Sequence, residues 1–287
     1  MLRILHISDF HFGPPYVPHV GEALIQLAPD LQPDAVVVSG DLTQRAKPAQ
    51  FVAARQFIDR LPDVPKIVVP GNHDVPLYRV AERLLQPLGC FRQYISGQLD
   101  QVWRLAGAVI VALNSTAPYR AIVNGRIRRE QLDFCAEAFR DAPPGTARIV
   151  VAHHHFVPAP DHLRDKTMRQ AKRAVRCFLD LGVELVLGGH LHRAFIGNSR
   201  DHFPGGSQDR GILIVHCGTS TSRRGRGRER HMNSCNLVDI APTTLQVTPY
   251  MYDDTVGQFG PVGRHLYPRA GRGFVADSDG NGPISST

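Results

Sequence analysis

The sequence has no apolar run that is long enough to cross a membrane. Its longest apolar stretches are AGAVIVAL at 106–113 and ELVLGG at 184–189, whereas a spanning helix needs roughly 20 apolar residues. A secretory signal is not expected either, because Asp9 comes before the apolar part of such a signal could end. These absences lead us to expect a cytoplasmic protein without a membrane partner.

Cysteine and tryptophan are scarce. The five cysteines are widely scattered and form no CxxC pair, which argues against both a disulfide framework and a thiolate metal site. One tryptophan is present, and the Arg-rich stretch RRGRGRER at 223–230 contains no aromatic residue on which a base could stack. We therefore expect no dedicated nucleic-acid binding.

The Arg-rich stretch 223–230 concentrates positive charge. It contains five Arg and one Glu, so it accounts for +4 of the formal net charge of +7. Arginine is suited to bidentate recognition of phosphate. Three interpretations stay open: a solvated surface loop, a contact to the phosphate or ribose of a substrate, and a contact to nucleic acid.

Short apolar segments alternate with segments of helical character, which is typical of an α/β fold with covered sheets. Continuously apolar runs predict buried strands at 3–8, 35–40, 66–71, 108–113, 148–153, 184–189 and 211–218. Helices are predicted at about 18–29, 48–60, 77–87, 128–140 and 167–181. We expect one domain over 1–252 and a C-terminal extension over 253–287. The extension is expected to be partly disordered, because it is poor in periodicity and rich in Gly, Pro, Ser and Asp.

Five of the predicted strands end in polar residues that can bind metals. These residues are Asp9 and His11, Asp41, Asn72 with His73 and Asp74, His153 to His155, and His190 with His192. Taken singly, such an Asp or His is more often a turn or hydrogen-bonded structural residue. In open α/β sheets, however, ligands gather outside the carboxyl ends of the strands. The joint pattern therefore predicts that these side chains surround one point.

The residue types in this set suit borderline divalent ions rather than soft ones. Seven of these eleven residues, named below, are candidate ligands; seven are too many for one ion, and they fit two ions that are about 3.5–4 Å apart, as in dinuclear hydrolases. One carboxylate must then bridge the two ions, and Asp41 is the natural choice. Two ligands two residues apart, as in Asp9-x-His11, point to the same side of an extended segment.

The series D-x-H, GD, GNHD, a His-rich strand end and GHxH resembles the calcineurin-like metallophosphoesterase superfamily over 9–192. The resemblance implies an α/β fold that is a four-layer α/β/β/α sandwich of two mixed β-sheets flanked by helices. GDLTQRA departs from the GDxVDRG of protein Ser/Thr phosphatases, and Gln44 stands where purple acid phosphatases have Tyr. The chain is more similar to the bacterial branch of class III cyclic nucleotide phosphodiesterases and glycerophosphodiesterases, also through GTSTSRRGRGRERHMNSCNLVDI at 218–240.

The same resemblance implies two sets of metal ligands for Mn, Fe or Zn. One ion would be held by Asp9, His11, Asp41 and His192, and the other by Asp41, Asn72, His153 and His190. In the HHH triplet His153 is our assignment, and His154 is the alternative.

Further roles are expected for residues beside the ligands. His73 looks like the catalytic group that faces the substrate phosphate, and Asp74 is expected to accept its other N–H. Candidate substrate contacts are His154, His155, His216, Arg223 and Arg224. A hydrogen-bonded strand residue remains the other interpretation of His216.

Together these observations predict hydrolysis of small phosphodiesters, such as cyclic nucleotides or glycerophosphodiesters, by a hydroxide that two metals activate. The alternatives are a nuclease or a nucleotide-lipid pyrophosphatase of the same superfamily, and a non-catalytic scaffold. The sequence does not decide between a monomer and a homodimer.

Overall fold

The computed structural model describes residues 1–119, 123–160, 166–203 and 211–269. The strands in this part of the chain are β1 (Leu2–Ile7), β2 (Ala35–Val38), β3 (Lys66–Val68), β4 (Gln101–Leu105), β5 (Ala108–Leu113), β6 (Ala147–Ala152), β7 (Leu185–Gly188), β8 (Phe195–Asn198), β9 (Leu213–His216), β10 (Ser234–Ile240), β11 (Thr244–Asp253), β12 (Gln258–Pro261) and β13 (His265–Pro268). The helices are α1 (Pro18–Asp30), α2 (Pro48–Asp59), α3 (Val80–Leu85), α4 (Gly89–Tyr94), α5 (Arg129–Arg140) and α6 (Ala171–Asp180).

The strands form two mixed sheets. The first has the order β12-β11-β10-β1-β2-β3, and β13 also pairs with β11. In it β1, β2 and β3 are parallel, whereas β10 to β13 are antiparallel to their neighbours. The second sheet has the order β4-β5-β6-β7-β9-β8, with a parallel centre and the antiparallel edge strands β4 and β8.

Three apolar clusters build four layers from these elements. One cluster fills the space between the two sheets and includes Ile4, Val37 and Ile149. A second joins the first sheet to α1, α2 and α4, and a third joins the second sheet to α5 and α6. The layers therefore follow the order helices, first sheet, second sheet, helices, and the expected α/β/β/α sandwich is confirmed. Both faces of the central strands are buried, which explains their continuous apolar runs.

Several elements differ from the sequence prediction. The helix expected at 77–87 is the shorter α3, and α4 follows it. Strands β4 and β8 were not predicted. Both lie at sheet edges, and half-exposed residues interrupt the apolar pattern there.

The first sheet continues past residue 252, the domain end that is predicted from the sequence. Strands β12 and β13 both pair with β11. Just after β13, the buried guanidinium of Arg269 donates to both carboxylate oxygens of Glu184, at 2.7 and 2.9 Å. This ion pair connects the end of the first sheet to the second sheet. The expected disorder of residues 270–287 lies outside the described residues.

The described helices include none that is both long and apolar enough to cross a bilayer.

Candidate metal centre

Four buried side chains converge at the carboxyl ends of the parallel strands. His192 Nε2 lies 3.1 Å from Asp9 Oδ1 and 2.9 Å from His11 Nε2. His11 Nε2 lies 3.6 Å from Asp9 Oδ1 and 3.6 Å from Asp41 Oδ2. These four atoms all lie within 4.8 Å of one another. They come from the segments after β1, β2 and β7, so the two sheets build this set together.

A second set adjoins the first. Asn72 Oδ1 lies 2.8 Å from His190 Nδ1 and 3.2 Å from His153 Nε2. His153 Nε2 is also 3.3 Å from Asp41 Oδ1. The two oxygens of Asp41 therefore face different sets, Oδ2 the first and Oδ1 the second. All seven residues that the sequence selected lie in these two sets.

The backbone of the candidate ligands has unusual dihedral angles. Asp9, His11, Asp41, His190 and His192 have φ angles between 51° and 75°. Non-glycine residues rarely occupy this left-handed region, although Asp and His do so more readily than others. Such conformations cost of order 1–3 kcal/mol each, persist only where the surroundings hold them, and cluster at functional sites. The strain is therefore an independent indication of a site.

Two glycines allow the strand ends to approach so closely. Gly40 has a φ of +103°, and a Cβ there would lie 2.6 Å from His153 Nδ1. Gly71 has no positive φ, but a Cβ there would collide with Asp41 Oδ1 and Asp41 N. Gly40 is thus required for its conformation and its size, and Gly71 for its size alone.

Hydrogen bonds orient the candidate ligands. One oxygen of Asp9, Oδ2, accepts from Ser8 Oγ at 2.6 Å and from the His190 amide at 3.0 Å, which leaves Oδ1 facing the first set. His153 Nδ1 donates to the Ser39 carbonyl at 2.7 Å, and His192 Nδ1 donates to the Arg224 carbonyl at 2.9 Å. A ring nitrogen that donates to a carbonyl leaves the other nitrogen aimed at a metal, which is the usual arrangement around metal-bound histidines.

The charge state of the set suits cations. Burial raises the pKa of Asp9 and Asp41, but the neighbouring histidine rings hold both pKa values well below the usual range. Burial lowers the pKa of His11 to about 3. The carboxylates are then ionised and His11 is neutral, as metal ligation requires.

Two carboxylate oxygens indicate that the residues present fit metal ions. Asp9 Oδ1 and Asp41 Oδ2 are buried and have no hydrogen-bond partner among the described residues. A buried carboxylate oxygen that accepts no hydrogen bond keeps an uncompensated desolvation cost. A cation between the oxygens and the imidazole nitrogens compensates that cost, so the residues present fit metal ions at this position.

Asp74 does not orient the ring of His73, which corrects the expectation from the sequence. Its carboxylate accepts instead from the amides of Gly71, Leu42 and Thr43, at 2.9 to 3.1 Å. Burial and the nearby Asp41 raise the pKa of Asp74 to about 7. Asp74 therefore positions the backbone of the two loops that carry Asp41 and Asn72.

The backbone carbonyl of Gln44 orients His73, and the sequence did not predict this contact. His73 Nδ1 lies 3.1 Å from that oxygen. Since a carbonyl only accepts, Nδ1 carries the proton and Nε2 of the neutral ring carries the lone pair. The His73 ring lies edge-on to that of His11, with 4.8 Å between centroids, so it borders the first ligand set.

The remaining histidines of the site line its second half. His154 Nδ1 is 2.8 Å from Ser115 Oγ, and a nitrogen of this ring also lies within 4.8 Å of one on His153 and one on His190. His155 stacks on His190 with 5.5 Å between ring centroids. His216 is buried, stacks on Phe195 and donates from Nδ1 to the Gly189 carbonyl at 2.9 Å. It therefore supports the loop that carries His190.

The two candidate arginines differ in position. Arg223 is exposed. Arg224 is half-buried and donates to Gln44 Oε1 at 3.1 Å, while its carbonyl accepts from His192. Burial lowers the pKa of Arg224, whereas Asp41 and Asp9 raise it, so its guanidinium is within electrostatic range of the first set. The Arg-rich stretch thus contributes one positive group to the rim of the site.

Comparison with curated proteins adds relatives with named activities. A cAMP/cGMP dual specificity phosphodiesterase of Mycobacterium tuberculosis is 29% identical over 282 residues, which cover 91% of this chain and 83% of the relative. A probable cyclic nucleotide phosphodiesterase of Synechococcus is 33% identical over 171 residues, which cover 57% of this chain and 60% of the relative.

Comparison with solved structures concerns the fold alone, because the identities are low. A purple acid phosphatase from yellow lupin has a TM-score of 0.67 at 13% identity, and the match covers 99% of this chain and 57% of that one. A dimetal phosphatase from Danio rerio has a TM-score of 0.62 at 11% identity, with 94% and 99% covered.

The family model for calcineurin-like phosphoesterases matches residues 2–194. This range is more than half of the chain and contains all seven candidate ligands. The resemblance stated from the motifs is thereby confirmed. The chain belongs to the calcineurin-like phosphoesterase family, and it is a phosphoester hydrolase.

Proposed function

We propose that this protein is a dinuclear metal-dependent phosphodiesterase that hydrolyses small diesters such as cyclic nucleotides. The observation that carries the proposal is the pair of adjoining ligand sets with Asp41 between them, one oxygen facing each. The named activities of the Mycobacterium and Synechococcus relatives support the diester class.

In this proposal one ion would be held by Asp9, His11, Asp41 and His192, and the other by Asp41, Asn72, His153 and His190. His153 is preferred to His154 because its Nε2 lies beside both Asp41 and Asn72, while His154 Nδ1 is engaged with Ser115. The nitrogen and oxygen donors suit Mn, Fe or Zn. When bound, the two ions polarise the phosphoryl oxygens and lower the pKa of water.

The proposed catalytic group is His73. Its Nδ1 is held by a carbonyl, so only Nε2 is available to the substrate. Burial lowers the pKa of His73, so Nε2 of the free protein carries a lone pair; beside the anionic phosphoryl group it would take up a proton, stabilise the negative charge and transfer that proton to the leaving oxygen. Arg224 adds positive charge on the same side, beside Gln44. Asp74 acts as a positioning residue through the loop amides that it accepts from.

The test compares Asp41→Asn with the wild type on bis-p-nitrophenyl phosphate, cyclic AMP, cyclic GMP and glycerophosphocholine, each with Mn²⁺ added. Asparagine keeps a side-chain oxygen that can accept from the His73 amide, as Asp41 Oδ1 does at 2.8 Å. It removes the charge and the second oxygen. The matched control is Asp63→Asn, which makes the same change at an exposed position.

We expect turnover of at least one diester, loss of at least about 10²-fold in kcat/KM for Asp41→Asn, and no change for Asp63→Asn. Elemental analysis should find two ions per chain in the wild type and fewer in Asp41→Asn. Absence of turnover on every diester with Mn²⁺, Fe²⁺ and Zn²⁺ contradicts the proposal, and so does full activity of Asp41→Asn.

A further inference from the structure

A second cavity lies beside the candidate metal centre, and the proposed function does not use it. It has a volume of about 500 Å³ and is lined by four arginines, Arg92, Arg126, Arg128 and Arg169, and by apolar side chains that include Tyr119. We call it the arginine pocket. Its volume lies in the range of small-molecule sites, which bury a ligand against apolar walls and orient it with a few polar groups.

The described lining of the arginine pocket offers no carboxylate to balance its positive charge. Among the described residues, its lining contains no Asp or Glu, and none of the four arginines forms an ion pair within that part of the chain. Within the described parts of the chain, the Arg92 side chain donates to the Gly97 carbonyl alone. Arg126 Nε is buried without a hydrogen-bond partner among the described residues. An unpaired buried donor is costly, so the pocket is complementary to an anion.

The arginine pocket is connected to the metal centre by one short segment. Asn114 and Thr116 line the pocket, and Ser115 between them lies with its Oγ 2.8 Å from His154 Nδ1. The Arg126 amide donates to the Ser115 carbonyl at 2.8 Å. The segment follows β5, and the neighbouring strand β6 carries His153 and His154. Pocket and metal centre therefore lie side by side at the carboxyl ends of adjacent strands.

We propose that the arginine pocket binds a second phosphate of the substrate together with its attached nucleoside. The metal centre would hold the phosphate that is cleaved, so the four arginines are left for another anion. Guanidinium groups recognise phosphate, and the Tyr119 ring, 63% exposed, is available to stack on a base. The substrate class is thus a dinucleotide with a terminal phosphate. This inference rests on the proposed phosphodiesterase function.

The kinetic test uses two substrates that differ only in that phosphate, adenylyl-adenosine and 5′-phosphoadenylyl-adenosine. The variant is Arg126→Gln with Arg128→Gln; Arg126 Nε has no hydrogen-bond partner among the described residues, and Arg128 donates to Gln131 through its backbone amide, which the substitution keeps. The control is Arg129→Gln, which removes the same charge at a neighbouring exposed position outside the pocket. Hydrolysis of bis-p-nitrophenyl phosphate monitors the metal centre separately.

We expect the wild type and Arg129→Gln to prefer the phosphorylated dinucleotide by about tenfold or more in kcat/KM. The double variant should lose that preference and keep its activity on bis-p-nitrophenyl phosphate. A preference that is absent from the wild type, or unchanged in the double variant, overturns the inference while leaving the proposed function intact. Absence of all turnover contradicts the proposed function instead.

A binding measurement then decides the inference without catalysis. In metal-free protein the carboxylates of Asp9 and Asp41 repel anions from the metal centre, so bound AMP reports on the arginine pocket. Calorimetry should detect AMP binding that weakens with added salt and falls about tenfold or more in the double variant. Equal binding of AMP to the wild type and the double variant would refute the pocket as a phosphate site.

Discussion

Replacement of Gly40 by alanine separates the geometry of the metal centre from the stability of the fold. The new Cβ would lie 2.6 Å from His153 Nδ1 and 2.8 Å from His153 Cγ. The imidazole must retreat by about 0.8 Å to reach an ordinary 3.4 Å contact. Such a shift disturbs its hydrogen bond to the Ser39 carbonyl, now 2.7 Å, and its approach to Asp41 and Asn72.

The same substitution also strains the backbone, because φ at Gly40 is +103°. A side chain in a sparsely populated region costs of order 1–3 kcal/mol. Gly107→Ala is the matched control, since Gly107 has a φ of +82° and a Cβ added there would meet nothing within 4 Å. Gly107 precedes β5, at the opposite end of that strand from the site. Both variants should therefore melt a few degrees below the wild type.

Only Gly40→Ala should lose function. A misplacement of about 1 Å near the chemistry can cost 10²-fold in rate, so we expect kcat/KM on bis-p-nitrophenyl phosphate to fall by about that factor. Elemental analysis should find less than two ions per chain. The reasoning is refuted if Gly40→Ala keeps wild-type metal content and activity, or if Gly107→Ala loses as much of either.

Three other measurements test particular side chains. His73→Asn keeps a donor for the neighbouring carbonyl but removes Nε2; activity on an alkyl diester should fall by about 10²–10⁴, and less on a nitrophenyl ester, which needs no proton. Burial lowers the pKa of His153, but the Asp41 carboxylate raises it, to about 9. Metal binding at neutral pH should therefore release a proton from His153 and weaken as pH falls. Calorimetry in two buffers of different ionisation enthalpy measures this proton release. Arg269→Met leaves Glu184 unpaired, and denaturant unfolding should show a loss of about 3–5 kcal/mol.

The central strands could be predicted from the sequence, but several edge elements could not. Segments such as Ala35–Val38 and Leu185–Gly188 bury every residue, and continuous burial leaves a continuous apolar run. Strands β8, β12 and β13 contain half-exposed or exposed residues, so their pattern resembles that of loops. Strand β12 follows β11 through the short turn at 254–257, whereas β8 and β13 pair with β9 and β11 across intervening segments, and no local pattern reveals those partners.

The candidate ligands could be named from the sequence because each follows a recognisable strand end. The family resemblance also implied their distribution between two sets, but which oxygen of Asp41 faces which set needed coordinates, since the orientation of a side chain depends on tertiary packing. The role of Asp74 was wrong for the same reason. Adjacency to His73 suggested a contact between the two side chains, whereas the fold turns the carboxylate toward the amides of Leu42, Thr43 and Gly71.

The sequence by itself determined the α/β class through its hydrophobic periodicity, and its short motifs carried the resemblance from which the sandwich, the family and the seven candidate ligands were predicted, because both kinds of signal are local properties of the chain. Only the tertiary structure decided which nitrogen of each histidine faces inward, what Asp74 supports, and that an arginine pocket adjoins the site. The residues that line that pocket lie between 85 and 169 in the sequence. They meet only through long-range packing, so no single segment of the sequence shows a pattern that predicts the pocket.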